Sequence, residues 1–196
     1  MIGVVPNQHI TDMIASGQII GTPPVDGAQI QPASLDLRLG TVAYRVRASF
    51  LAGHGAKVAD RLEEFEMHRV DLTNGAVLEK GCVYVVPLME SLALPQGTSA
   101  AANAKSSTGR LDLLTRTITD GGTEFDRIAP GYTGPLYAEI CPRSFSVLVR
   151  PGMRLNQIRF STGAATLDDA ALRGERRGMP TLSMPRCAHC TPTARW

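Results

Sequence analysis

Two stretches of the sequence carry residue types suited to chemistry on an anionic substrate. Residues 105–110 are Lys-Ser-Ser-Thr-Gly-Arg and combine two cations, three hydroxyls and a glycine. A turn of this composition can offer positive charge and backbone N–H groups to a phosphate. Glu139 lies in the apolar run Leu-Tyr-Ala-Glu-Ile at residues 136–140. A carboxylate in such a run is costly unless it is paired or takes part in a reaction, so a binding element and a catalytic element are predicted.

Each stretch also has a simpler interpretation. A basic run rich in Ser, Thr and Gly is typical of a helix cap or a solvated turn. A single glutamate in a strand is typical of a sheet edge or of a structural ion pair. Neither stretch decides between these interpretations when it is taken alone.

Four motifs, taken in order, resemble one known family. Residues 105–113 resemble the Arg-Ser-Ser-x-x-Arg-x-Gly-Leu motif of dCTP deaminases, which are members of the dUTPase-like superfamily. Pro-Gly-Tyr-Thr-Gly at residues 130–134, followed by Glu139, is similar to the turn and catalytic-glutamate strand of that family. Residues 31–40 and residues 150–153 also resemble the corresponding motifs of that family. The resemblance covers residues 31–160 and is strongest to the N-terminal half of a longer form with two barrels.

The resemblance implies zinc-independent hydrolytic deamination of dCTP to dUTP and ammonia, within pyrimidine deoxynucleotide supply. Glu139 would activate the water and shuttle its proton, and Ser106 would position that water and the exocyclic amine. Arg110 would lie close to Glu139 and orient it. The triphosphate would arrive as a Mg²⁺ complex, in a homotrimer whose sites lie between subunits. The implied substrate-binding residues are Lys105, Ser107, Thr108, Gly109 and Tyr132.

The sequence lacks the signature of a zinc deaminase. Such enzymes use His-x-Glu or Cys-x-Glu together with Cys-x-x-Cys, and neither of the first two patterns occurs here. The Cys-x-x-Cys pair formed by Cys187 and Cys190 lies near the C-terminus without a second pair of ligands. We therefore predict no bound zinc.

Three departures from the family pattern leave other functions open. Lys105 stands where the family has Arg, Ala129 stands where it has Asp, and the loop at residues 120–124 is longer than in short members. The loss of the Asp argues against plain dUTPase activity, although Asp120, Glu124 or Asp126 could compensate. The alternatives are a dUTP diphosphohydrolase, a bifunctional deaminase and diphosphatase, and a truncated, non-catalytic nucleotide-binding barrel.

Strand and turn patterns predict a mainly β fold. Leu35, Leu37 and Leu39 alternate with polar residues, as in a half-buried strand, and short apolar runs separated by turn residues continue to residue 160. Helices are predicted within residues 6–20 and 57–67, and a third is expected to finish at residues 111–114. The resemblance specifies a dUTPase-like distorted jelly-roll or β-clip barrel with short N-terminal and inserted helices.

Composition is consistent with one barrel and a short tail. The chain has 196 residues, is 43% hydrophobic and carries a net charge of +2, which is too small to predict a broad nucleic-acid-binding face. No apolar run approaches the ~20 residues that span a bilayer, and no signal peptide is recognised, so no membrane partner and a cytoplasmic location are predicted. We assign residues 1–162 to the barrel and residues 163–196 to a short helix and a disordered tail, in a chain expected to be truncated or frame-shifted.

Overall fold

The structure, a computed structural model, describes residues 3–163. Within them the chain is dominated by strands, which confirms the predicted mainly β class. No helix in this part of the chain is both long enough and apolar enough to cross a bilayer. The strands are β1 (Gly3–Val4), β2 (Ile19–Gly21), β3 (Ile30–Gln31), β4 (Ser34–Arg38), β5 (Val42–Val46), β6 (Glu66–Asp71), β7 (Ala76–Leu78), β8 (Val83–Ala93), β9 (Thr98–Ala104), β10 (Leu113–Thr119), β11 (Arg127–Ile128), β12 (Thr133–Pro142), β13 (Val147–Val149) and β14 (Arg154–Thr162).

The strands form two larger sheets and one ribbon. Sheet A has the order β11-β9-β14-β4-β3, with β1 added beside β14. Sheet B has the order β10-β12-β8-β5-β6, with β2 added beside β8. Strands β7 and β13 pair separately as a two-stranded ribbon. The larger hydrophobic core contains residues of both sheets, among them Phe160 of sheet A and Ile140 of sheet B.

Three α-helices accompany the sheets in residues 3–163: α1 (Asn7–Ala15), α2 (Val58–Phe65) and α3 (Ser106–Arg110). The first two confirm the predicted helices. The prediction that the third extends over residues 111–114 is wrong, because the chain turns at Asp112, whose φ is 51°, and enters β10 at Leu113. A left-handed residue at this point ends the helix and redirects the chain.

A second, smaller cluster lies on the outer face of sheet B. It joins Ile118 and Tyr137 of the sheet to Val58 and Leu62 of α2 and to Phe50 in the loop before α2. Because side chains alternate across a strand, Arg116 and Glu139 lie on this same outer face. Sheet B therefore has one face in the main core and another beneath α2 and its neighbouring loops.

Strand β4 is more deeply buried than its alternating pattern predicts. All five of its residues are buried, including Asp36 and Arg38, so the half-buried assignment is wrong. Arg38 forms an ion pair with Glu90 of β8, and Asp36 forms one with Lys105. Both polar residues can be buried because each has a partner of opposite charge.

Gly40, which follows β4, lies against the neighbouring sheet. Its N–H donates to the Pro87 carbonyl at 2.8 Å, and a Cβ placed on Gly40 would lie 2.6 Å from that oxygen. We expect Gly40→Ala to lower the free energy of unfolding by about 1–3 kcal/mol, because backbone must move to relieve the overlap. Thermal unfolding would show this as a lower Tm.

Gly97→Ala is the matched control, because a Cβ at Gly97 would have no neighbour within 4 Å. Its Tm should stay close to that of the unmodified protein. Equal Tm values for the two alanine variants would show that the close approach at Gly40 does not constrain the fold.

Candidate active site

Glu139 is the most deeply buried acid on the outer face of sheet B. Its side chain is 2% exposed, and it lies in β12 directly opposite Arg116 of β10. Arg116 donates to Glu139 Oε1 through both Nε, at 3.0 Å, and Nη2. Glu139 Oε2 is buried and accepts no hydrogen bond. One carboxylate oxygen is thus fixed by a cation, and the other remains able to accept a proton or bind water.

Arg116 is itself held by two loops. Its Nη2 donates to Ser49 Oγ at 3.0 Å, and its guanidinium carbon lies 3.7 Å from the centre of the Phe125 ring. Ser49 belongs to the segment before α2, whereas Phe125 belongs to the segment between β10 and β11. A guanidinium stacked on an aromatic face and bonded to a carboxylate has little freedom to turn away.

The sequence predicted that Arg110 would lie beside Glu139. Within one chain, Arg116 rather than Arg110 has that position, and no side-chain hydrogen bond or ion pair links Arg110 to any residue of 3–163. Arg110 is exposed at the end of α3. The sequence of residues 115–119 is typical of a β-branched strand, and this pattern alone does not assign a role to Arg116. The available signal was a lone charged residue within that strand.

The 105–110 motif forms α3 together with the residue that precedes it. The Lys105 N–H and the Thr108 hydroxyl both donate to the Leu155 carbonyl of β14, at 2.9 and 3.0 Å. These bonds fix α3 to sheet A. The Thr108 hydroxyl is buried and already engaged, which favours a structural role, whereas Ser106, Ser107 and Gly109 are exposed and accessible to a ligand.

The Lys105 ammonium, predicted to contact phosphate, is bonded to Asp36. Asp36 is buried, and Arg154 Nη1 lies 4.0 Å from the same oxygen, Oδ2. The carboxylate offsets much of the positive charge that Lys105 would offer a phosphate. Lys105 therefore has a clear structural role, and its contact with substrate remains a prediction.

The loop at residues 120–124 is attached to the segment before α2 by backbone hydrogen bonds. Gly53 N–H donates to the Gly122 carbonyl at 3.0 Å, and Gly121 N–H donates to the Ala56 carbonyl at 2.8 Å. Asp120 accepts a hydrogen bond from the Val58 N–H at 2.8 Å and so supplies the acceptor at the start of α2. The Asp120 carboxylate therefore caps the N-terminus of α2.

A cavity of about 590 Å³ opens beside this loop; we call it the loop cavity. Tyr132 lines it, and its hydroxyl donates to the Pro135 carbonyl at 2.6 Å and accepts from the Asp120 N–H at 3.3 Å. Burial raises the pKa of Tyr132, so the phenol stays neutral at physiological pH. Ala129, which stands at the family's Asp position, also lines the cavity. A volume of this size suits a small-molecule ligand.

Asp126 interacts electrostatically with both members of the Arg116–Glu139 pair. Its Oδ1 accepts from the Thr117 N–H at 2.7 Å. Burial raises the pKa of the Asp126 carboxyl, and the Thr117 hydrogen bond and the charge of Arg116 only partly oppose this effect. The negative charge of Glu139 repels the Asp126 carboxylate and so also raises the pKa of Asp126.

We expect Asp126→Asn to raise Tm by up to about 2 °C at neutral pH. The folded protein holds the Asp126 proton more tightly than the unfolded chain, so stability declines as pH rises from about 4 through the raised pKa. Asparagine does not titrate, tolerates the φ of 62° and can still accept from Thr117. The Tm difference between variant and unmodified protein should grow with pH and then level off. A difference that shrinks between pH 4 and pH 7 would contradict this assignment.

Residues 1–164 match the family model of the 2'-deoxycytidine 5'-triphosphate deaminase (DCD) N-terminal domain. The chain belongs to the dCTP deaminase family. The predicted resemblance is thereby confirmed.

Individual dCTP deaminases agree with this assignment. The 2'-deoxycytidine 5'-triphosphate deaminase from Agrobacterium tumefaciens is 54% identical, covers 90% of this chain and superposes with a TM-score of 0.84. The "dCTP deaminase, dUMP-forming" of Beutenbergia cavernae is 30% identical over 79% of this chain and 77% of its own length. The dCTP deaminase of Halorubrum lacusprofundi is 27% identical over 81% of this chain and 76% of its own length.

The chain spans 54% of the Agrobacterium dCTP deaminase. This share agrees with the predicted likeness to one half of a longer form. The predictions for residues beyond 163, including the Cys187 and Cys190 pair, lie outside the described residues.

Proposed function

We propose that this chain is the catalytic barrel of a dCTP deaminase that converts dCTP and water to dUTP and ammonia. The observation that carries the proposal is the buried Glu139, whose Oε1 is fixed by Arg116 while Oε2 has no partner. A carboxylate that is charge-balanced at one oxygen and unpaired at the other is suited to accept a proton from a nucleophile.

The proposed reaction uses Glu139 twice. Oε2 accepts a proton from water as the water oxygen bonds to C4 of cytosine. The electrons of the C4–N3 double bond move to N3, and the carboxyl passes the first proton to N3. It then takes the proton of the new C4 hydroxyl and delivers it to the exocyclic nitrogen, so that C4=O forms, the bond from C4 to the exocyclic nitrogen breaks, and ammonia leaves. Ser106 would position the water and the amine. Arg116 holds Oε1 of Glu139 in place before the attack through two hydrogen bonds.

The exposed end of α3 supports nucleotide binding by more than one copy of the chain. Ser106, Ser107 and Arg110 point to solvent, and no hydrogen bond joins them to Glu139 within residues 3–163. In the proposed homotrimer, α3 of one copy would supply Ser106 and Arg110 to Glu139 of the next. Size measurement in solution tests the trimer, and a monomer that is fully active would overturn the shared site.

The loop cavity is lined by Tyr132 and by Ala129, which stands where the family has a carboxylate, but not by Glu139 or Arg116. We therefore do not assign the reacting cytosine ring to it. Mg²⁺ would enter with the triphosphate as part of the substrate. Within residues 3–163 no group of three or more His, Cys, Asp or Glu residues is arranged to hold a metal ion, and zinc independence remains a prediction for experiment.

The direct test is product analysis with dCTP and excess Mg²⁺, with and without a zinc-selective chelator. We expect equal amounts of ammonia and dUTP, unchanged by the chelator. Unaltered dCTP together with a nucleotide-dependent rise in Tm would instead indicate a non-catalytic nucleotide-binding barrel. Loss of activity on chelation would contradict the zinc-independent mechanism.

Bifunctional deamination and diphosphate hydrolysis is the second candidate. The names of relatives such as those from Beutenbergia cavernae and Acidothermus cellulolyticus specify formation of dUMP. Asp126 could supply a second carboxylate near Glu139, because the two acids interact electrostatically. Release of dUMP and pyrophosphate with ammonia would favour this candidate, and dUTP as the end product would exclude it.

A further inference from the structure

Arg116 forms a junction between Glu139 and two separate loops. It donates twice to Glu139 Oε1, once to Ser49 Oγ, and lies against the Phe125 ring. Its side chain is 30% exposed, whereas that of Glu139 is 2% exposed. The cation therefore closes the solvent side of a buried acid. Nothing in the four sequence motifs singles out this residue.

From this geometry we infer that Arg116 is the positioning residue that makes Glu139 competent as a base, and that Phe125 and Ser49 hold it in place. The inference rests on the proposed function, since it assigns the orientation of the same base. Two donors on Oε1 fix the carboxylate plane and leave Oε2 as the oxygen that can meet water. Arg116 acts through Glu139 and need not touch the substrate.

The charged groups around this pair are consistent with that role. Asp126 also faces Arg116, but its carboxyl oxygen is bonded to the Thr117 N–H. Ser49 is neutral and Phe125 offers only its ring face. Among the described residues, Glu139 is the acid to which Arg116 is hydrogen-bonded, so removing the guanidinium leaves a buried carboxylate without its donor.

The test compares Arg116→Gln with Arg116→Lys in the full chain. We expect Arg116→Gln to lower kcat for dCTP by about 10²-fold or more, with little change in KM, because the base loses the two hydrogen bonds that align it. The acidic limb of the kcat/KM profile should move to higher pH, because the cation beside the carboxylate is removed. Arg116→Lys should keep the acidic limb near its original position and lose less activity.

Arg47→Gln is the matched control. Arg47 also lies over a phenylalanine, Phe65, at 5.1 Å, and beside a glutamate, Glu64, at 3.9 Å, but it forms no hydrogen bond or ion pair with Glu139. This variant should leave both kcat and the pH profile unchanged. Arg116→Gln with an unchanged acidic limb would overturn the inference, even if its kcat were reduced.

A spectroscopic measurement separates this inference from the proposed function. The carboxyl signal of Glu139 can be assigned by infrared difference against Glu139→Gln and followed across pH in the ligand-free protein. We expect the Arg116→Gln substitution to shift that titration to higher pH, whether or not the protein turns over dCTP. An unshifted titration overturns the inference, whereas absence of ammonia from the unmodified protein overturns the proposed function alone.

Discussion

Glu139→Gln should reduce dCTP deamination by at least about 10²–10⁴-fold while leaving the protein folded. General acid–base catalysis by a positioned side chain contributes this much, and here one carboxylate serves both the attack of water and the departure of ammonia. Glutamine nearly matches the shape of glutamate and can still accept from Arg116 through its amide oxygen. It cannot accept the proton of the attacking water.

The measurement is the rate of ammonia release from dCTP, combined with thermal unfolding to confirm the fold. Glu63→Gln is the control, because it makes the same chemical change on the exposed side of α2 and should retain full activity. Turnover by Glu139→Gln within a few fold of the unmodified rate would assign the base to another residue.

The second large effect concerns stability and Glu90. This residue is 1% exposed in β8 and joins three donors: Arg38 Nε at 2.7 Å, the Arg38 N–H at 2.8 Å and Gln29 Nε2 at 2.8 Å. Replacement by Gln removes the negative charge and leaves the Arg38 guanidinium buried without its counter-ion. Breaking a buried ion pair in this way costs about 3–5 kcal/mol.

We therefore expect Glu90→Gln to lower Tm by about 10 °C or more. The control is Glu79→Gln, which breaks the 2.9 Å ion pair with Arg45 at a site where the glutamate side chain is 60% exposed. An exposed pair contributes about 0–1 kcal/mol. If both variants unfold at similar temperatures, the buried Arg38–Glu90 pair contributes no more to stability than the exposed Arg45–Glu79 pair.

Local sequence signals predicted that Glu139 is a carboxylate within an apolar strand, but they could not predict which residue pairs with it. A charge within an apolar strand is visible from neighbouring residues alone, and so is the helical pattern of residues 58–65. The pairing of Arg116 with Glu139 depends on the register of β10 against β12, which joins residues 23 positions apart. Nothing within either strand specifies that register.

The same reasoning explains the errors at β4 and α3. Alternation of Leu35, Leu37 and Leu39 indicated a strand with one solvated face, because a sequence does not show that Lys105, 69 positions away, will neutralise Asp36. The continuation of α3 over Leu111–Leu114 was expected from apolar composition. The left-handed turn at Asp112 is a property of one residue's backbone, which composition does not reveal.

The irregular pairing of β12 with β8 limits which changes of length the protein can tolerate. The register shifts between Pro135 and Tyr137, and beyond it Glu139 lies opposite Val85. Because side chains alternate across a strand, deleting one residue at positions 136–138 would exchange the faces of Glu139 and Ile140 and place the carboxylate in the apolar core. Insertions within residues 121–124 leave that alternation intact. Natural or engineered variation in length should therefore be confined to the loop, and the strand should accept substitutions but not deletions.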